Sequence, residues 1–127
     1  MAESIESAAA RSKRSRVVYV YDLPEGIRGQ DDYIKESVGL QKLELGEEVR
    51  AGERAGTNIT ALSFAFAKAS LVEIDGRPLN KADGEDDVVF DRCDPAIRQL
   101  ILEAYADMST PPAGASKKFL ASRRMKT

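Results

Sequence analysis

The segment from Ile59 to Val72, ITALSFAFAKASLV, restricts the fold more than any other part of the chain. Lys68 is its only charged residue. At helical spacing its apolar side chains form two stripes on different faces: Ile59, Leu62, Phe66 and Ala69, and then Phe64, Ala67 and Leu71. A helix that is apolar on nearly every side is usually central in a fold or docked on a partner, and 127 residues provide one domain to cover it.

Two segments predict a short antiparallel β unit. The β-branched and aromatic run RVVYVYD indicates a strand from Arg16 to Asp22. The segment VGLQKLEL, from Val38 to Leu45, has apolar ends and a polar interior, which suits a half-exposed partner strand. Further along, Asp75-Gly76 predicts a tight hairpin turn, and Pro78 can lie only in an edge strand.

Helices are predicted on both sides of that hairpin. The segment Gly46–Gly56 has acidic residues in its first turn, although Gly52 weakens it. Asp94 and Pro95 open a second helix as N-cap and first-turn residue. Its apolar face comprises Ile97, Leu100, Ile101, Ala104, Tyr105 and Met108. Pro111-Pro112 ends it, and KKFLASRRM could form a short final helix.

These elements predict an α+β, mainly helical protein: a short antiparallel β unit followed by about four helices, with flexible basic termini. We expect a disordered basic arm at residues 1–15, a single domain at 16–109 and a Pro-linked basic segment at 110–127. Charge follows the same division. Residues 1–16 carry +2, residues 17–107 carry −9 and residues 108–127 carry +5.

The composition argues against an enzyme. The chain has no His, which removes Ser-His-Asp and Cys-His arrangements and histidine zinc sites. Its single Cys, Cys93, excludes an internal disulfide and is interpreted as a buried or incidental thiol rather than a reactive one. We therefore predict no catalytic residue, metal or cofactor. The cysteine usage and the lack of a recognisable secretory signal or long apolar run favour a cytoplasmic protein without membrane segments.

Three local patterns suggest sites but are interpreted as structural. Seven carboxylates lie between Asp75 and Asp94, yet Val88 stands where a calcium-binding EF-hand loop needs Gly, so Asp83–Asp87 is interpreted as a solvated loop. The GxxG at Gly26–Gly29 lacks the flanking pattern of an RNA-binding clamp. Asn58 is expected to cap a helix rather than accept a glycan.

The basic ends and the surplus apolar residues point to partners. The basic ends could bind nucleic acid, but the body is acidic and has no base-stacking aromatic cluster, so nucleic acid is the less favoured partner. The apolar residues either pack on one another in the monomer or contact a partner. The predicted partner-binding residues are Phe64, Phe66, Leu71, Leu102, Tyr105, Phe119 and Leu120.

From about Leu40 to Arg124 the chain resembles the small tail assembly chaperones of tailed bacteriophages. The resemblance is carried by LQKLELGEEVRAGERAG, then by ITALSFAFAKASLVEIDGRPL, and last by FDRCDPAIRQLILEAYADMSTP with the tail FLASR. It implies a non-enzymatic protein of the host cytoplasm that binds the tape-measure protein and helps tail-tube subunits polymerise around it. It offers no catalytic positions, and self-association is left open.

Two alternatives remain beside this resemblance. The chain could be a structural tail or baseplate component that is retained in the virion. It could instead be a small nucleic-acid-binding regulator that uses its basic arms. Salt separates the last from a chaperone, because phosphate binding weakens steeply with salt whereas masking of apolar helices does not.

Overall fold

The computed structural model describes residues 16–126, and the predicted disordered arm at residues 1–15 lies outside them. Within the described range the chain is α+β and mainly helical, as predicted. The strands are β1 (Tyr19–Asp22), β2 (Ser37–Leu40), β3 (Leu71–Ile74) and β4 (Arg77–Pro78). The helices are α1 (Leu45–Ala55), α2 (Ile59–Ser70), α3 (Glu85–Arg92), α4 (Pro95–Ser109) and α5 (Ala115–Ala121), with a 3-10 turn at Lys81–Asp83 before α3.

The strands form one antiparallel sheet in the order β1-β2-β3-β4. The predicted pairing of the first two strands is confirmed. The prediction that the second strand is half exposed and runs from Val38 to Leu45 is wrong. All four residues of β2 are buried, because β2 lies between β1 and β3. Leu45 already belongs to α1, where the Glu47 carboxylate accepts a hydrogen bond from the Glu44 backbone N–H at 2.9 Å and so stabilises the first turn.

A bulge aligns the two central strands. Val38 of β2 lies opposite Ile74, and Leu40 lies opposite Leu71, so three steps along β3 match two along β2. The register shifts between Gly39 and Leu40 to absorb the extra residue. Leu71 and Ile74 can therefore both face the core despite their odd separation, and both are buried.

The predicted turn at Asp75-Gly76 is confirmed and also holds a distant segment. Both residues have positive φ, 52° and 78°, and Pro78 lies in the edge strand β4 as expected. The Asp75 carboxylate accepts hydrogen bonds from three successive backbone N–H groups at the start of β2. The donors are Lys35 at 3.1 Å, Glu36 at 2.6 Å and Ser37 at 3.1 Å.

The apolar segment divides between two elements. The predicted helix Ile59–Val72 ends at Ser70, and Leu71 and Val72 pass into β3. Ser70 is buried where α2 meets β3, and its hydroxyl is satisfied by donating to the Ala67 carbonyl oxygen at 2.8 Å. At the other end the Asn58 side chain accepts from the Ala61 N–H at 2.9 Å, so its predicted role as a cap is confirmed.

The second long helix, α4, supplies much of the core. The Asp94 carboxylate caps it by accepting from the Ala96 N–H at 2.8 Å, and Pro95 occupies the first turn, as predicted. Four residues of its apolar face are buried: Ile97, Ile101, Ala104 and Met108. They pack with residues of β2, β3 and α3 in one cluster.

The prediction of a solvated loop at Asp83–Asp87 is wrong. Asp83 ends the 3-10 turn and α3 begins at Glu85, with three carboxylates in its first turn. Negative charge is favourable at the positive end of a helix dipole, and Val89 and Phe90 are buried against the core. The acidic run is therefore the start of a docked helix.

Candidate partner-binding surfaces

Helix α5 presents large apolar side chains to solvent. Phe119 is 76% exposed and Leu120 is 71% exposed, and Met125 just beyond the helix is 84% exposed. Isolated helices of this length are marginal in water, so α5 gains stability only by packing on something. Its apolar side chains are set among exposed basic residues: Lys117, Lys118, Arg123, Arg124 and Lys126.

A proline-rich connection separates α5 from α4. Thr110 is extended, with φ −91° and ψ 132°, as expected for a residue before proline. Its hydroxyl donates to the Ala106 carbonyl oxygen at 2.6 Å, which fixes the end of α4. Pro111-Pro112 favours a stiff backbone. A turn then follows, in which the Ala115 N–H donates to the Pro112 carbonyl oxygen at 2.9 Å, and Gly114, with φ 81°, is the N-cap of α5. The short final helix expected in this segment does form.

A cleft of about 720 Å³ lies between α1, α2 and α3. Its floor consists of small and aromatic side chains, so backbone or bulky apolar groups can approach closely. The floor residues are Ala51 and Ala55 of α1, Ala61, Phe64, Ala65 and Ala69 of α2, and Phe90 of α3. Phe64 and Phe90 meet edge to face with ring centroids 6.1 Å apart.

The two rims of the cleft are mainly of opposite charge. Arg50 and Arg54 of α1 form one rim, which also includes Glu47 of the same helix. The other rim carries three carboxylates of α3, with Lys81 of the 3-10 turn beside them: Asp86, Asp87 and Asp91. Lys68 of α2 reaches the acidic rim, with Nζ 2.8 Å from an Asp87 oxygen and 3.4 Å from an Asp91 oxygen. This arrangement can hold an apolar segment by its underside and orient it by charge.

The ion pair at the acidic rim shifts the pKa values of both partners, Lys68 and Asp87. Burial alone would lower the pKa of the Lys68 ammonium, but the Asp87 and Asp91 carboxylates outweigh it and raise that pKa. The hydrogen bond from Lys68 holds the pKa of Asp87 below its usual value. Lys68 is therefore charged while it ties α2 to α3 along the cleft.

The seven predicted partner-binding residues do not share one surface. Phe119 and Leu120 are exposed on α5, and Phe64 lines the cleft. Phe66 is partly buried and does not line the cleft; its ring centroid lies 6.1 Å from that of Tyr105. Leu102 and Tyr105 are partly buried against the core.

Leu71 is not accessible to a partner. It is fully buried in β3, opposite Leu40, and its assignment to the partner-binding set is wrong. The error follows from the misplaced helix end, since a residue that seemed to lie on a second helical face belongs to a central strand instead.

A smaller cavity of about 280 Å³ lies between β1 and α4. Its lining includes Leu23, Pro24 and Leu100, and the Tyr21 hydroxyl spans its edge by donating to the Asp107 carboxylate at 2.9 Å. Burial and that carboxylate raise the pKa of Tyr21. The contact fastens β1 to the last turns of α4.

Neither a metal-binding cluster nor a membrane-spanning helix is found among the described residues. Among residues 16–126, no three His, Cys, Asp or Glu side chains cluster closely enough to hold a metal ion. The Cys93 thiol is buried, as predicted, and burial raises its pKa. Within the same range no helix has the length and apolar character needed to cross a bilayer.

The GxxG segment closes a local turn. Gly29 has φ 80°, and the Arg28 guanidinium donates to the Leu23 carbonyl oxygen of the same loop at 3.0 Å. The arginine of this segment is therefore used within its own loop.

Sequence reasoning missed the cleft. Its acidic rim lies on α3, which was expected to be a loop, and its floor depends on the packing of α1 on α2. A usable signal was present: Val88, Val89 and Phe90 form an apolar run directly after a Gly and three acidic residues. That order is typical of a helix start.

In comparisons with known proteins, no family model matches the chain, and no curated protein or solved structure matches it either.

Proposed function

We propose that this chain is a phage tail assembly chaperone that binds apolar helices of the tape-measure protein in the cleft between α1, α2 and α3. The observation that carries the proposal is the apolar floor of that cleft between two rims of opposite charge. The resemblance of residues 40–124 to such chaperones supplies the identity of the client.

The cleft suits helix-in-groove recognition. Alanines at Ala61, Ala65 and Ala69 follow one another every four residues on α2, so they leave room for a client helix to approach its backbone. Phe64 provides the aromatic contact area, and the buried Phe90 ring supports it edge to face. The basic α1 rim and the acidic α3 rim favour one orientation of a client whose own charges flank its apolar face.

No reaction is part of this role. The protein would act in the host cytoplasm by masking apolar helices of the tape-measure protein and releasing them as tail-tube subunits polymerise around it. Binding of this kind needs neither a cofactor nor a metal, and it relies on apolar burial that salt does not weaken.

The test is co-expression with the tape-measure protein encoded beside this chain, followed by solubility and co-purification measurements over a salt series. We expect capture that persists at high salt. Ala65→Trp fills the cleft and should abolish capture, whereas Ala106→Trp, at an exposed position on α4, should retain it. Capture that survives Ala65→Trp, or that is lost as salt rises, would contradict the proposal.

A nucleic-acid-binding regulator is the second candidate, favoured by the five exposed basic residues after Pro112. It predicts retention on nucleic acid that falls steeply with salt, with a slope that decreases when Arg123 and Arg124 are replaced by Ala. A structural tail component would instead be present in purified virions.

A further inference from the structure

We propose that α5 of one copy docks in the cleft of a second copy, head to tail. The proposal rests on the proposed function only in taking the cleft as the client site, and it makes α5 the ligand that occupies the cleft when no client is present. Two unsatisfied surfaces of the same chain, an exposed apolar helix and an open apolar cleft, would then cover each other.

The apolar surfaces match in kind. Phe119 and Leu120 are adjacent on α5 and largely exposed. The cleft floor offers the partly exposed Phe64 ring, with alanine gaps beside it and the buried Phe90 ring beneath it. Large side chains on a short helix fit against small ones on a long helix, because the small residues let the two elements come close.

The charges are complementary. Residues 108–127 carry five basic groups and no acid. The α3 rim places three carboxylates along the cleft, and Lys68 and Lys81 offset two of these charges, so one negative charge remains. Lys117 and Lys118 adjoin Phe119, and we place them toward this rim. The basic α1 rim disfavours the opposite orientation, because α5 has no carboxylate to offer it.

The geometry favours a second copy over the same chain. In the described structure every residue from 116 to 126 is exposed, so α5 does not fill its own cleft. The extended Thr110 and Pro111-Pro112 hold α5 off the end of α4. Contact with another molecule needs no change in this connection.

Head-to-tail contact gives the interface a polarity, because each copy offers a different surface at each end. A copy that lacks a working α5 still has a cleft, and a copy with a blocked cleft still has its α5. Two different defects therefore complement each other, which an interface between two α5 helices would not allow.

The experiment is sedimentation velocity of the full chain over a concentration series without any client. We expect the wild type to sediment faster as concentration rises. Phe119→Asp and Ala65→Trp should each weaken self-association on the order of tenfold or more. An equimolar mixture of the two variants should form a heterodimer at concentrations where each alone is monomeric.

Circular dichroism checks that each variant is folded. A second pair of variants changes residues outside the cleft floor. Asp86→Lys should weaken association, and mixing it with Lys117→Glu/Lys118→Glu chains should restore it. A wild type that stays monomeric at its solubility limit would overturn the proposal. So would undiminished association of Ala65→Trp, or a mixture of defective copies that stays monomeric.

The two proposals fail separately. Phe119→Asp keeps its cleft, so it should still capture the tape-measure protein if the proposed function holds, whether or not copies associate. Self-association that depends on the cleft, without client capture, would leave the present inference standing and remove the proposed function.

Discussion

The carboxylate of Asp31 accepts a hydrogen bond from the backbone N–H of Asp94 at 2.8 Å. Its other oxygen accepts from the N–H groups of Tyr33 and Ile34 at 2.8 and 2.9 Å. Burial alone would raise the pKa of Asp31, but these three hydrogen bonds and the charge of Lys35 outweigh it and hold the pKa below its usual value. One side chain thus joins the loop before β2 to the start of α4.

Replacing Asp31 with Ala should lower the free energy of unfolding by about 2 kcal/mol at pH 7, because three N–H groups, one buried and two partly buried, lose a charged acceptor. Urea denaturation followed by circular dichroism measures the loss. Asp32→Ala, at the exposed neighbouring position, should change the free energy much less.

The same variant should show a defined pH dependence. A carboxyl whose pKa is lower in the folded than in the unfolded state stabilises fully above its unfolded pKa and stops doing so as pH falls through the folded pKa. The difference between wild type and Asp31→Ala should therefore shrink below about pH 4. A difference that stays constant from pH 7 to pH 3 would show that the charge is not responsible.

Gly39→Ala should destabilise the sheet by about 2 kcal/mol, because β2 has no room for a side chain at that position. An added Cβ would lie 2.9 Å from both the Glu73 Cβ and the Val18 Cγ1. Gly26→Ala is the matched control, since its Cβ would meet nothing within 4 Å. Thermal denaturation of both variants tests the prediction, and equal melting temperatures would contradict it.

Lys68→Met should cost less than about 1 kcal/mol at neutral pH, because the ion pairs with Asp87 and Asp91 are partly exposed. The raised pKa of Lys68 means that its contribution is present below its unfolded pKa and is lost as pH rises through the folded pKa. At acid pH the ion pair's contribution to stability is lost as pH falls through the lowered pKa of Asp87, because the carboxylate is then protonated.

Salt gives the clearest measurement of this pair. The difference between wild type and Lys68→Met in urea denaturation should largely disappear in 1 M NaCl, where the screening length is about 3 Å. Lys118→Met removes an equal charge from exposed α5 and should leave the stability unchanged at either salt concentration. A salt-independent loss for Lys68→Met would point to packing of its aliphatic stem instead.

Cys93 should react with the thiol reagent DTNB on the order of a hundredfold more slowly in buffer than in urea, because burial hides the sulfur and raises its pKa. A Cys introduced at Ser116 in a Cys93→Ala background should react at close to the unfolded rate, since α5 is exposed. Fast labelling of Cys93 in the native protein would contradict its placement.

Local chemistry predicted the elements whose ends are marked by their own residues. The Asp94-Pro95 start of α4, the Asn58 cap and the Asp75-Gly76 turn each satisfy backbone groups within a few positions, so a single sequence contains the information. The apolar face of α4 was predictable for the same reason.

Long-range pairing was not predictable in this way. The local sequence predicts a helix at Leu71, but this residue pairs with Leu40, thirty-one positions earlier, and so belongs to the sheet. The acidic run at Glu85 looked solvated because its burial depends on Val89 and Phe90 reaching a core assembled by other elements. The cleft depends on the second of these, because α3 forms one of its sides, and only Phe64 of the predicted set lines it.

The Asp75 carboxylate, which binds the backbone before β2, bears on the order of folding. The β3–β4 hairpin is local and can form within microseconds, whereas β2 must close a chain loop of more than thirty residues to reach β3. Asp75 offers the arriving strand three acceptor contacts as soon as the hairpin exists. We therefore expect part of the Asp75 contacts to be formed in the folding transition state. Asp75→Ala should then slow refolding as well as hasten unfolding.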